Sequence, residues 1–186
     1  MKIHTRRSVL AGAASAVFVT GACSNGIGSN GAATIDARVR STLDYLYSTY
    51  PATRDLRDKS AGMLVMPLVT QAGLGIGGAY GRGALLVADT TVDYYSAAQA
   101  SVGLQIGAQQ YAHVLFFMTN DALYKFRSSP GYSAGADVQY VANDQGGNLS
   151  ADTTTSLSPV IAVIFGQAGL LAGATLKGTK YTRIIP

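Results

Sequence analysis

The chain of 186 residues contains a single cysteine, Cys23, so no disulfide can close within it. Glutamate is absent, and all 10 acidic side chains are aspartates. Histidine is scarce as well: His4 lies in the first few residues and His113 is the other. One cysteine, one histidine beyond the leader and scattered aspartates offer no HxH, HExxH or CxxC spacing, so no metal centre is expected. No cofactor is expected either. The uncharged run from Ser8 to Thr20 is too short and too weakly apolar to serve as a spanning helix.

What is present at the start reads as an export leader. Lys2, Arg6 and Arg7 make a positive n-region, the Ser8–Thr20 run follows, and Gly21-Ala22 leads into Cys23. The order Thr5-Arg6-Arg7-Ser8-Val9-Leu10 resembles a twin-arginine signal, with a Sec signal carrying two arginines as the alternative. Thr20-Gly21-Ala22-Cys23 is similar to the lipobox of bacterial lipoproteins, with Thr20 where that pattern usually has leucine. The resemblance implies cleavage after Ala22 and a diacylglyceryl and acyl anchor, including palmitate, on the Cys23 thiol. Two or three acyl chains hold a protein stably at a bilayer, where one does not. Ser24 after the cysteine fits sorting to the outer membrane, and the expected location is the cell envelope, facing the periplasm.

Removing the first 22 residues takes away three of the 14 basic side chains and none of the 10 acidic ones, leaving a net charge of +1. The basic pI of 9.2 belongs largely to the leader, so nucleic acid is not an expected partner. The remaining 164 residues suffice for one domain with a real core.

Three segments are expected: a leader over 1–22, a lipidated cysteine and flexible Gly/Ser/Asn tether over 23–34, and a domain over 35–186. In Ile35–Tyr50, apolar residues Ile35, Val39, Leu43, Leu46, Tyr47 and Tyr50 recur at helical spacing, with Thr34 as cap and Pro51 as stop. Thr53–Lys59 suggests a short second helix. From Ala61 the period becomes two. Strands are expected over 61–69, 75–80, 83–89, 92–97, 102–109, 112–119, 136–142, 160–165, 170–176 and 180–185. A capped helical turn at Asn120–Arg127 interrupts the series, and 143–158 reads as a polar loop.

An echo of alternating glycines appears at Ala72–Gly78, Val102–Ala108 and Ala168–Ala174. A bare stripe along a strand permits sharp bending and the close approach of another backbone. The expected fold is α+β: an N-terminal helix packed on a strongly curved, barrel-like antiparallel sheet with one short inserted helix.

Two catalytic patterns occur by spacing. Gly73-Leu-Gly75-Ile-Gly77-Gly78 satisfies GxGxxG, but a turn and another strand follow it where a dinucleotide site needs a helix. Gly131-Tyr132-Ser133-Ala134-Gly135 satisfies GxSxG, but a nucleophile elbow needs a strand before it, a helix after it and a later histidine base. His113 lies upstream, in an apolar run. Neither pattern is expected to be functional, and Ser133 reads as a turn residue. No catalytic residue is expected.

Along the first helix, Arg38 and Arg40 flank the apolar stripe, with Asp44 on the polar face. Flanking arginines suit a membrane interface, and equally a helix lying on its own sheet.

Several stretches together resemble the SYLF domain family: Ser60–Pro67, Ala72–Leu86, Tyr95–Ala108, Phe117–Leu123 with Phe126, Gly135–Asp137 and Phe165–Thr182. They follow the family order and cover nearly everything after the tether. The resemblance implies an α+β module that binds phosphoinositides or other anionic lipids without catalysis. Some eukaryotic members bind actin, which an exported bacterial protein does not meet in its own envelope. The chain departs from the family pattern at Gln71, where lysine is expected, and at Ala79, Arg82 and Lys177, where acids are common. Candidate lipid contacts are Arg38, Arg40, Arg54, Arg57, Lys59, Arg82, Lys125 and Lys177. A structural or protein-docking module of the envelope is the alternative.

Overall fold

The structure is a computed structural model that describes residues 29–135, 138–142, 158–169 and 176–186. Within these residues the order is α1 (Gly31–Thr49), α2 (Thr53–Lys59), β1 (Gly62–Val87), β2 (Thr90–Phe117), α3 (Asn120–Ser128), β3 (Tyr132–Ser133), β4 (Val138–Ala142), β5 (Val160–Gly169) and β6 (Lys180–Ile184). The leader, Cys23 and the first part of the tether lie outside the described residues, as do most of the 143–158 loop and all but the last residue of the strand expected over 170–176.

α1 forms because Ile35, Val39, Leu43 and Leu46 line one face and are buried there. It starts earlier than the apolar period suggests, at Gly31. Thr34 is therefore not its cap. The Gly31 N–H donates to the Ser29 hydroxyl at 3.1 Å, and the Thr34 hydroxyl donates to the Asn30 carbonyl at 2.9 Å. α3 has the side-chain cap that α1 lacks: the Ala122 N–H donates to the Thr119 hydroxyl at 3.1 Å.

The six short strands expected between Ala61 and Thr119 are two long ones. β1 and β2 pair antiparallel almost end to end, from Gly62 opposite Phe117 to Val87 opposite Thr90. Register shifts bend the ribbon at Met66/Val69 and Leu85/Leu86, inside two of the expected strands, and at Leu74/Ile76, at the start of a third. β2 then serves two neighbours on its other edge. Its first half (Tyr94–Ala98) pairs with β6, and its second half (Gln109–Phe117) pairs with β5. β3 extends the sheet beyond β6. β4 extends it beyond β5 in parallel, Val138 opposite Val160, which corrects the expectation of a wholly antiparallel sheet.

The bending folds β1 back on itself. A Cβ on Gly81 would lie 2.6 Å from the Leu68 carbonyl oxygen, and one on Gly83 would lie 2.6 Å from the Met66 sulfur and closer still to the Val65 carbonyl. Two arms of one strand thus meet backbone to backbone, which only glycine permits at those positions.

Burial on both faces explains the near-continuous apolar runs. In β5, Val160, Ala162 and Ile164 point into one core while Ile161, Val163 and Phe165 point into the other. The outer core is completed by α1 and Leu56 of α2. The inner core is closed by Ala122, Leu123 and Phe126 of α3, with Tyr95, Tyr111 and Tyr181. Both cores draw on residues between Ile35 and Tyr181. The fold is α+β, with the N-terminal helix on a strongly curved sheet.

Candidate functional site

The basic side chains singled out in the sequence are not gathered into one cluster. Arg38 and Arg40 are exposed on the solvent side of α1, away from Ile35 and Val39. Arg54 and Arg57 lie over the Tyr47 ring, at 6.0 and 5.8 Å from its centre. Arg57 also grips Asp89 with two nitrogens, its Nε donating to Oδ1 at 3.0 Å. That pair holds the Asp89 carboxyl below its ordinary range. Burial pushes the Tyr47 phenol up to about 12. Arg57 therefore ties α2 to the β1–β2 turn, and Lys59 closes α2 in the open.

The others lie elsewhere. Lys125 is exposed on α3, the helix that closes the inner core, and Lys177 sits in the turn before β6, its carbonyl accepting from Gln99 at 2.9 Å. Arg82 is half-buried on β1, two residues from Ala84 and therefore on the α1-bearing face of the sheet. Gln71, which stands in place of an expected lysine, is buried and accepts from the Gln109 side chain at 3.2 Å across the β1–β2 ladder. It is a cross-strand contact. Lys180, which sequence reasoning passed over, is exposed opposite Ala98. Only the β2–β6 register brings it near Arg82. Arg127 and Arg183 converge on the half-buried Asp93 carboxylate at 3.1 and 3.4 Å.

A cleft of about 350 Å³ opens between α1 and the sheet, lined in part by Tyr45, Leu68, Tyr111 and Phe165. Tyr45 stacks on Phe165 with centroids 6.1 Å apart, and Tyr50 meets the same ring edge-on. The cleft has the character of imperfect helix–sheet packing. None of the basic candidates lines it.

His113 does not face solvent. It is fully buried, its Nε2 is 2.9 Å from the Tyr181 hydroxyl, and its Nδ1 has no partner among the described residues. Burial pushes its pKa down to about 3, so the ring is neutral. Ser133 is exposed on β3, opposite Lys180, with no helix after it before residue 135. The strand–turn–helix geometry of a nucleophile elbow is absent there. The Gly73–Gly78 run lies wholly inside β1, Gly73 facing Gly107 and Gly78 facing Ala100, so no helix N-terminus awaits a pyrophosphate.

Residues 98–183 match the family model Ysc84, described as Las17-binding protein actin regulator. This segment belongs to the Ysc84, or SYLF, family. A comparison with curated proteins finds no match. The SYLF segment begins at Ala98, within β2, and runs through α3 to β6. It omits α1, α2 and β1. β1 nevertheless pairs along nearly the whole of β2, and α1 covers the outer core, so the SYLF segment shares its hydrophobic cores with the residues before it.

Proposed function

We propose that this protein is an envelope lipoprotein, anchored through Cys23, whose SYLF-type domain binds anionic phospholipid at the membrane that carries the anchor and performs no catalysis. The observation that carries this reading is the match of residues 98–183 to a family of binding domains. The sequence resemblance to lipid-binding SYLF domains, and the lipobox-like Gly21-Ala22-Cys23, direct it to a membrane. Near a negative bilayer surface each Lys or Arg contributes about 1 kcal/mol, so a few favourably placed bases give salt-sensitive attraction despite a net charge near zero. Tethering raises the local lipid concentration enough for weak affinity to matter. The outer membrane, facing the periplasm, is the proposed location.

Co-sedimentation of Ser24–Pro186 with vesicles tests this. Binding should appear with phosphatidylglycerol-containing vesicles, weaken as salt rises, and be slight with phosphatidylcholine alone. Indifference to vesicle charge at low salt would reject it.

A further inference from the structure

The β1–β2 ribbon is folded so that its two ends meet. A Cβ on Gly62 would lie 3.0 Å from the Leu86 carbonyl oxygen, which brings the start of β1 against its end. Gly83 lies against Val65 and Gly81 against Leu68 in the same way. Each of these pairs is centred on Leu74 or just after it. The crease therefore falls there, where the ladder shifts register between Leu74 and Ile76. At about 3.3 Å per residue, about 40 Å of strand separates the crease from the Gly62–Leu86 end.

Charge is segregated along the same axis. No Asp, Lys or Arg occurs between Lys59 and Arg82, or between Asp93 and Asp121. α2, the Arg57–Asp89 pair, and Asp93 with Arg127 and Arg183 all belong to the Gly62–Leu86 end. Around the crease, the rows from Ala72–Ala108 to Tyr80–Ala98 carry no charged side chain on β1 or β2. The outward side chains described there are apolar: Ile76 is 76% and Tyr80 57% exposed, and Ala72, Ala98, Ala100 and Ala108 are exposed with them. Gln71 and Gln109, by contrast, are buried against each other.

We infer that this crease dips into the interfacial layer of the bilayer and buries Ile76 among the first acyl methylenes. The inference rests on the lipid-binding reading above and adds to it an apolar contact that does not depend on net charge. Two paired strands about 5 Å apart make a tip too narrow for a protein partner, since a stable interface buries about 800 Å² on each side. A bilayer needs no matching surface, because lipid closes around an apolar group that enters it. Tyr80 shares its row with Lys180, and an aromatic ring beside an ammonium suits headgroup depth, two strand repeats behind Ile76. β1 pairs only with β2 among the described residues, and the backbone groups on its other edge keep the entry shallow.

The chain has no tryptophan, so Ile76→Trp in Ser24–Pro186 introduces a single indole at the crease. Tyr124→Trp places one on α3 at the charged end, where Tyr124 is 73% exposed. With phosphatidylglycerol vesicles carrying brominated acyl chains, the Ile76→Trp emission should shift to the blue and be quenched, and that of Tyr124→Trp should do neither. Ile76→Asn removes the apolar contact without adding charge and should weaken vesicle binding about tenfold. Tyr124→Asn should stay within about twofold of the parent. Both side chains are exposed, so both Asn variants should keep the parent's urea midpoint. If the parent binds these vesicles but the Ile76→Trp indole stays unquenched, or Ile76→Asn binds like the parent, the inference falls while the lipid reading stands. It falls equally if the two indoles are quenched alike. If the parent binds no anionic vesicle, both fail together.

Discussion

The Tyr181 hydroxyl and the His113 Nε2 meet at 2.9 Å inside the inner core, one from β6 and one from the middle of β2, with neither side chain reaching solvent. An unfolded histidine takes a proton near pH 6.5, whereas the buried ring resists until about 3. Between those values the unfolded chain binds one more proton than the folded one, so stability is lost as pH falls. The expected slope from this group is about 1.4 kcal/mol per pH unit below 6.5. Denaturant unfolding at pH 7 and pH 5 should show it, and His113→Leu should flatten the profile across that interval. Tyr181→Phe, which removes the hydroxyl from the buried His113 Nε2, should cost about 1–3 kcal/mol at pH 7.

Gly83 is the tightest point of the fold-back in β1. Gly83→Ala drives a methyl into the Val65 carbonyl, which cannot yield without moving a strand, and should cost about 3 kcal/mol or prevent folding. Gly131→Ala is the control. Its methyl would meet only the Lys180 side chain, whose flexible end can move aside, and the cost should stay within about 0.5 kcal/mol. Equal losses in the two variants, read from urea midpoints, would contradict the backbone-contact account.

The β1–β2 turn places two residues with side chains in left-handed backbone, Ala88 at φ 48° and Asp89 at φ 61°. Such a two-residue hairpin turn favours asparagine or glycine, and alanine gains nothing there to offset its strain. Ala88→Asn should stabilise by about 0.5–1 kcal/mol without touching the Arg57–Asp89 pair, visible as a raised Tm.

For the proposed anchor, Cys23→Ser should shift the protein from the membrane fraction to the soluble one or leave the precursor uncut. Mass spectrometry of the native N-terminus should find acyl chains on Cys23. An unmodified thiol there would remove the lipoprotein reading.

Much of this architecture could be read in one dimension. Ile35, Val39, Leu43 and Leu46 announce α1 because a helix returns to the same face every three or four residues, and tertiary contact only extended it back to Gly31. Alternation located most strand segments, whereas the close backbone approach falls at Gly81 and Gly83, just beyond the glycine stripe of 72–78 that suggested it. The joining of those segments was hidden, since a bulge and a turn share the same residue types and differ only in whether the ladder continues. The parallel pairing of β4 with β5 was hidden for a related reason, as neither strand's composition states its direction.

The surface was less legible than the core. Burial is recorded locally, by an apolar residue at the right period, whereas a surface patch is an agreement between residues far apart in the chain. Arg82 and Lys180 stand 98 positions apart, and only the register of β2 with its neighbours on both edges places them on adjoining rows. Arg57 read as a candidate lipid contact until Asp89, in the turn after β1, was folded onto it. Gln71 read only as a departure from the family's lysine until Gln109 was found opposite. Periodicity is a one-dimensional property and fixed the helix and strand character of the chain. Which charges stand free is a property of three-dimensional neighbours, and only the folded sheet decides it.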